Sequence, residues 1–133
     1  MGFRVALVSD AGTPTISDPG FKLTAAAHDE GIAVESLPGP CAVTTALSAS
    51  GFPSERFTFM GYIPKTESDR LDLLLRAASL GQTVVFYDSP NRLIRSLQSI
   101  LDVMGPQQAV FIGLELTKLH ETHYRGSVSK VLV

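Results

Sequence analysis

A loop of small and hydroxyl-bearing residues follows the first apolar run of the chain, and its residue types suit the binding of a polar ligand. Residues 3–8 read FRVALV, and residues 9–20 read SDAGTPTISDPG. Ala11 and Gly12 leave the backbone open to close approach, because neither carries a large side chain. Loops at the carboxyl ends of strands are the usual ligand sites of α/β proteins. The residues alone leave two interpretations open, a ligand-binding loop and an ordinary turn between a strand and a helix.

A second group of residues that could do chemistry lies further along the chain. Four of them lie at the end of a predicted strand or shortly after it: Glu115, Lys118, His120 and Glu121. A fifth, Arg92, stands at the start of a predicted helix. A carboxylate can orient a hydroxyl group, and Lys and Arg side chains can hold phosphates. The alternative is a solvated charged loop with surface ion pairs, such as one between Arg92 and Asp88.

The elements that must position these residues alternate between strand and helix, as in an α/β fold. Short apolar runs predict strands at residues 3–8, 32–37, 57–62, 83–87 and 109–116. Ser17 or Asp18 is the expected cap of the first helix, with Pro19 at its first position and Gly31 just past its end. A small-residue helix is predicted over residues 41–50. The first two strand–loop–helix units are expected to run parallel through a right-handed crossover.

Two amphipathic helices and a hairpin are predicted in the second half of the chain. The helix over residues 66–80 has apolar residues at helical spacing: Leu71, Leu74, Leu75 and Ala78. Another helix follows Pro90 and ends at Gly105. Residues 120–126 predict a hairpin arm, and a final helix starts at Ser127. Residues 51–56 read GFPSER and break the apolar pattern, which indicates a linker.

Composition indicates a soluble protein of a reducing compartment. Of the 133 residues, 44% are hydrophobic and 18% are charged, and no apolar run approaches the ~20 residues of a membrane span. We expect no membrane association and no signal peptide. Cys41 is the single cysteine, which excludes an internal disulfide. His28 and His123 have no partners at metal-ligand spacing, so no metal site is expected.

The charge distribution is uneven. The net charge of −2 argues against a nucleic-acid-binding surface that extends over the whole chain. Residues 1–54 carry two basic and five acidic side chains, whereas residues 55–133 carry nine basic and eight acidic ones. This distribution permits an RNA-facing surface on the second half.

Five motifs together resemble one known family. They are SDAGTPTISDPG at 9–20, LPGPCAVTTALSASG at 37–51, GYIP at 61–64, FYDSPNR at 86–92 and ELTKLHET at 115–122. In this order they resemble the tetrapyrrole methylase superfamily. Within it they are most similar to the branch that methylates the ribose 2′-hydroxyl of a cytidine in small-subunit ribosomal RNA.

The resemblance implies parts of two α/β domains with mostly parallel sheets. Subunits of this family place S-adenosylmethionine in the cleft between such domains. Residues 1–54 are similar to the second part of the donor-binding domain, and residues 55–133 to the first part of the following domain. The family's opening strand and its closing strands find no match, so we expect either a fragment truncated at both ends or a naturally minimal protein.

The resemblance also assigns roles to individual residues. Ten positions match those that contact the cofactor: Asp10, Ala11, Gly12, Thr13, Cys41, Ala42, Phe86, Tyr87, Gly113 and Leu114. Leu114 departs from the family pattern, which commonly has arginine there. On the acceptor side, Glu115 and Lys118 are the catalytic candidates. Arg92 and Lys118 are the candidates for holding RNA phosphates.

Three functions are compatible with the resemblance. The first is an rRNA (cytidine-2′-O-)-methyltransferase that uses S-adenosylmethionine, with the RNA of the small ribosomal subunit as partner. The second is a methyltransferase of a corrin or other tetrapyrrole precursor, and the third is a non-catalytic RNA-binding remnant. The family also implies a homodimer. The expected location is the cytoplasm, or an organelle if a transit peptide has been removed.

Overall fold

The computed structural model describes residues 2–133 and divides into two compact units. The first unit ends at Ala42, and the second runs over Val43–Val133. Residues 51–56, the predicted linker, lie inside the second unit, where the Thr83 hydroxyl donates a hydrogen bond to the Pro53 carbonyl (2.6 Å). The domain boundary expected between residues 54 and 55 concerns the two domains of the family and stays a prediction.

In the first unit, the two apolar runs predicted as strands do not form strands. Residues 3–8 and 32–37 have no strand pairing in the structure, and the Phe3 and Leu37 side chains are 87% and 83% exposed. A strand exists only where its backbone groups bond to a neighbour, and no such ladder lies within the described part of this unit. The prediction of strands at these two runs is therefore wrong for this structure.

The first helix, α1 (Phe21–Asp29), starts later than predicted. Its N-cap is Gly20, at φ 132°, rather than Ser17 or Asp18. The backbone N–H groups of Leu23 and Thr24 donate to the Gly20 carbonyl. A Cβ at Gly20 would lie 2.8 Å from Leu7 Cδ2, so the chain enters this helix where only glycine fits. The predicted end is confirmed, because Gly31 follows the helix with φ 66°.

The second unit contains the remaining helices and strands of the described residues. In chain order they are α2 (Ala42–Ser50), which begins at the unit boundary, β1 (Phe57–Tyr62), α3 (Glu67–Ser79), β2 (Thr83–Tyr87), a 3₁₀ turn (Pro90–Arg92), α4 (Leu93–Met104), β3 (Ala109–Leu114), β4 (Thr122–Ser127) and α5 (Val128–Val131). These bounds agree with the predicted elements to within one or two residues. The glycine at position 51 closes α2 with φ 65°, as predicted.

Two short sheets result. Strands β1 and β2 pair in parallel, with Phe57 opposite Thr83 and Phe59 opposite Val85. The intervening α3 makes this a β–α–β unit, which confirms the α/β class. Strands β3 and β4 form an antiparallel hairpin from Ala109 opposite Ser127 to Leu114 opposite Thr122. This hairpin confirms the hairpin arm predicted at residues 120–126.

Helices α3 and α4 contribute to the core of the second unit together with α2 and α5, and the buried face of α3 differs from the predicted one. The buried residues of α3 are Arg70, Leu73, Leu74 and Ala77. Leu75, predicted as core, is 58% exposed. On this buried face, the Arg70 Nε–H donates to the Ser99 hydroxyl of α4 (2.8 Å). No helix among the described residues is long and apolar enough to span a membrane.

Candidate methyl-donor and acceptor sites

Two motif loops of the first unit are hydrogen-bonded to each other. The backbone N–H and the hydroxyl of Thr13 both donate to the Pro40 carbonyl, at 2.9 and 3.1 Å. The Ser9 hydroxyl donates to the Gly12 carbonyl (2.6 Å) and folds the first loop back on itself. The structure therefore brings the predicted donor loop, Asp10 to Thr13, next to the Pro-Gly-Pro loop that leads into Cys41.

Glycines allow the two loops to approach closely. Gly12 has φ +80°, and a Cβ built on it would lie 3.2 Å from the Pro40 carbonyl oxygen. A Cβ on Gly39 would lie 2.9 Å from Thr13 Oγ1. The sequence predicts close approach at Gly12 by another molecule, and the structure shows an approach by Pro40 instead. Glycine is required here by both the backbone conformation and the space.

The surface that these loops present is small and polar. Asp10, Ala11, Gly12 and Ala42 are exposed, whereas Thr13 and Cys41 are half-buried. A carboxylate and small side chains on exposed loop residues are groups that can hold an amino acid, a ribose and a purine without steric obstruction. The residues present therefore fit S-adenosylmethionine, the cofactor that the sequence resemblance implies.

In the second unit, aromatic rings surround the end of β2. Tyr87 makes edge contacts with Phe59 and Tyr62, with ring centroids 4.9 and 5.3 Å apart. Phe86 and Tyr87, both predicted cofactor contacts, are half-buried. The Ile63 N–H donates to the Tyr87 carbonyl (2.9 Å), which ties the GYIP segment to the FYDSPNR segment. The strand end at Tyr87 is thus held by both a backbone hydrogen bond and aromatic contacts.

Asp88, the next residue, joins the strand end to α4. Its Oδ1 accepts from the Ser89 N–H (2.7 Å) and pairs with Arg92 Nη2 (2.8 Å). Its Oδ2 accepts from the Ser96 hydroxyl (2.5 Å). The Asp88 side chain is 11% exposed, so this is a partly buried, fully bonded carboxylate. We infer that Asp88 positions the residues around it rather than meeting a ligand.

Arg92 lies in the ion pair that the sequence offered as an alternative role. Besides pairing with Asp88, its Nη1 donates to the Ile63 carbonyl (3.2 Å), and its side chain is 24% exposed. A guanidinium has five N–H donors, so donors remain beyond these two contacts. The structure shows the ion pair; a phosphate contact by the remaining donors stays a prediction.

The loop after β3 holds the two catalytic candidates and is conformationally strained. Glu115 and Thr117 have φ 50° and 65°, in the left-handed region that non-glycine residues seldom adopt. Lys118 Nζ pairs with Glu115 Oε2 at 2.9 Å, with both side chains more than half exposed. Glu121 accepts from the Thr117 N–H and pairs with His123 Nε2 (2.8 Å). Strain of this kind is common at functional sites, where surrounding contacts maintain it.

The strand before this loop carries the last two predicted cofactor contacts. Gly113 and Leu114 are half-buried at the end of β3. A Cβ on Gly113 would lie 2.7 Å from Leu116 Cδ2, so the space beside this glycine is taken by the Leu116 side chain. Within residues 2–133, no group of three or more His, Cys, Asp or Glu side chains is placed to hold a metal ion.

Some positioning residues were not identified from the sequence. The Ser9 hydroxyl donates a hydrogen bond within the donor loop, and the Pro40 carbonyl accepts one from it. The Ser96 hydroxyl, in the first turns of α4, donates to Asp88. Ser9 precedes an Asp-Ala-Gly turn, and hydroxyls at such positions often bond to the backbone of the turn that follows, which is a usable signal. The contact with Pro40 has no local signal, because it joins residues 27 positions apart.

Residues 2–132 match the family described as Tetrapyrrole (Corrin/Porphyrin) Methylases, and the chain belongs to this family. It is similar to proteins named ribosomal RNA small subunit methyltransferase I. One from Vibrio cholerae is 52% identical over 91% of this chain and 42% of its own length. Those from Thermotoga maritima and Escherichia coli O157:H7 are 44% and 45% identical over 98% of this chain, and 58% and 46% of their own lengths. The chain thus spans about half the length of the curated relatives it matches.

Proposed function

We propose that the chain is a methyltransferase that uses S-adenosylmethionine to methylate a cytidine 2′-hydroxyl in small-subunit ribosomal RNA. The observation that carries the proposal is the identity of 44–52% to three named rRNA methyltransferases, over at least 91% of this chain. The bonded motif loops of the first unit support it, because they supply a small polar surface of the kind that such a donor needs.

On the donor side, we place the cofactor contacts at the exposed loop residues Asp10 to Thr13 and at Cys41 and Ala42. When bound, S-adenosylmethionine supplies an electrophilic methyl group on a sulfonium. The protein's part is then to fix the donor and to exclude water. In the second unit, the backbone and rings at Phe86 and Tyr87, and the strand end at Gly113 and Leu114, are the proposed further contacts.

On the acceptor side, we assign the ribose hydroxyl to Glu115 and the neighbouring phosphates to Lys118 and Arg92. A hydroxyl is a weak nucleophile, and a carboxylate that accepts its hydrogen bond orients it and withdraws the proton as the oxygen attacks. The left-handed backbone at Glu115 supports this role, because strain of this kind is common at functional sites. The single cysteine suits a reducing compartment, and we propose a cytoplasmic location.

The test is transfer of a labelled methyl group from S-adenosylmethionine to small ribosomal subunits that lack the modification. We expect label on a ribose of a cytidine, located by nuclease digestion and mass spectrometry. Label on a corrin precursor instead would identify the second function that the sequence left open. Donor binding without transfer to either substrate would contradict the proposed activity for this chain, and binding of RNA without donor binding would identify a non-catalytic remnant.

The proposed phosphate contacts predict a change in salt dependence. Replacing Arg92 or Lys118 with alanine is expected to weaken RNA binding for all sequences alike. It should also reduce the slope of log affinity against log salt concentration by roughly 0.7 for each lost single-strand contact. The measurement is RNA affinity at several salt concentrations, with the exposed α3 residue Arg76 replaced by alanine as a control for net charge. If the salt slopes of the wild type and both variants are equal, Arg92 and Lys118 form ion pairs within the protein and do not contact RNA phosphates.

The exposed apolar side chains support the proposed homodimer. Phe3, Val5 and Leu37 are each more than four-fifths exposed, and large exposed apolar groups favour association. We expect twice the mass of the 14.2-kDa chain, or more, by light scattering at tens of micromolar, an order-of-magnitude working concentration. A monomer mass at that concentration would contradict the prediction.

A further inference from the structure

A buried arginine in the second unit lacks a carboxylate partner. Arg70 of α3 is 4% exposed, and its guanidinium forms no ion pair with any carboxylate in residues 2–133. Its Nε–H donates to Ser99 Oγ (2.8 Å) and its Nη1 donates to the Lys65 carbonyl (3.3 Å). Neutral acceptors satisfy these donors but leave the charge without compensation.

Arg70 lines a cavity of about 430 Å³ that lies beside the start of α3 and along α4. No hydrogen bond joins Nη2 to another described residue, and no buried side-chain nitrogen or oxygen in residues 2–133 lacks a partner, so the Nη2 edge of the guanidinium keeps some access to solvent. Such an edge can bond two oxygens of an oxyanion side by side.

The rim of the cavity adds two further cations. Lys65 and Arg95 line it and are exposed, so the lining carries three cations against two carboxylates, Glu67 and Asp102. One carboxylate oxygen of Asp102, Oδ1, accepts a hydrogen bond from Gln98 Nε2 (2.9 Å). Both carboxylates are exposed, whereas Arg70 is buried. The floor of the cavity is therefore positive, and its acidic groups lie at the rim in water.

We propose that this cavity, with Arg70 and Ser99 at its floor and Lys65 and Arg95 at its rim, is a phosphate-binding site built from residues other than those of the donor loops. The ligand chemistry is a phosphate oxyanion, which either a free phosphate or the backbone of an RNA provides. A phosphate would accept from the open guanidinium edge and pair with the rim cations, which compensates the buried charge. This proposed site depends on the geometry of the cavity and does not depend on the proposed methyl transfer.

The test is a nuclear magnetic resonance titration of the ¹⁵N-labelled chain with inorganic phosphate, and in a second arm with a short single-stranded RNA. The Arg70 Nε–H resonance is expected to shift saturably. Arg95→Gln and Lys65→Gln should each weaken phosphate binding by about threefold, and Arg70→Gln by at least about tenfold. The control is Arg76→Gln, which removes the same charge from α3 outside the cavity lining and should leave the affinity unchanged.

The two arms of the titration distinguish the possible ligands. Shifts by RNA at the same resonances identify the backbone phosphodiester as the ligand, and shifts by inorganic phosphate alone identify a small-anion site. Absence of a saturable shift, or equal weakening by Arg76→Gln, would overturn the proposal. If Arg70→Gln does not fold, the exposed rim variants Arg95→Gln and Lys65→Gln decide: unchanged affinity in both would also overturn it.

Discussion

Replacement of Gly12 with valine is expected to reduce S-adenosylmethionine affinity at least about tenfold, which corresponds to roughly 1.4 kcal/mol or more. Gly12 has φ +80°, and a Cβ there would lie 3.2 Å from the Pro40 carbonyl oxygen. A branched side chain is strained at this φ and pushes the donor loop away from the Pro-Gly-Pro loop. The hydrogen bonds from Thr13 to Pro40 would lengthen or break, and the proposed donor contacts at Asp10 and Ala11 would move.

The control for this substitution is Gly31→Val in the same unit. Gly31 also has a positive φ, 66°, but a Cβ there would meet nothing within 4 Å. Both variants carry the backbone strain, and only Gly12→Val disturbs the paired loops. Calorimetric titration with the donor should separate them, after circular dichroism shows that both are folded. Equal donor affinity in the two variants would remove the Asp10–Thr13 loop from the site.

Replacement of Asp88 with alanine is expected to lower the free energy of unfolding by about 2–3 kcal/mol. The change removes the acceptor for the Ser89 N–H and the Ser96 hydroxyl, and it leaves Arg92 with no carboxylate at its Nη2. The pair is partly exposed, so the expected loss is smaller than for a fully buried ion pair. Urea denaturation of the variant and the wild type measures the difference.

The matched control is Asp72→Ala on α3. Asp72 is exposed, and its loss is expected to change the free energy of unfolding by no more than about 0.5 kcal/mol. Ser96→Ala removes a single partner of Asp88 and should cost about 1 kcal/mol. A loss for Asp88→Ala no larger than that for Asp72→Ala would show that the bonds around Asp88 do not stabilise the strand end.

Sequence patterns located the elements of the second unit because their signals are local. The Thr66–Glu67 helix start, the glycines after α2 and α4, and the apolar run before Tyr87 each depend on neighbouring residues. Strand formation at residues 3–8 and 32–37 depends instead on a pairing partner elsewhere, which apolar composition does not report. The buried face of α3 likewise includes a contact between distant residues, from Arg70 to Ser99 on another helix, which local apolar spacing does not report.

For the proposed site, the motifs identified two loops but not the hydrogen bonds that join them. Local sequence identified the Asp10–Thr13 loop and the Pro-Gly-Pro loop separately, while Thr13 bonds to Pro40 across 27 positions. The Arg92–Asp88 pair was foreseeable, since the two residues are four apart at a helix start. The left-handed backbone at Glu115 and Thr117 could not be predicted, because neither residue type favours that conformation.

The most direct measurement is a nuclear magnetic resonance titration of the ¹⁵N-labelled chain with S-adenosylmethionine. The proposed function predicts saturable shifts at the amides of Asp10, Ala11, Gly12 and Thr13 and at Cys41 and Ala42. Further shifts are expected at the strand ends that carry Tyr87 and Gly113, with the Arg70 side chain unaffected. Absence of shifts at residues 10–13, or shifts confined to the Arg70 cavity, would contradict the proposal that this loop holds the methyl donor.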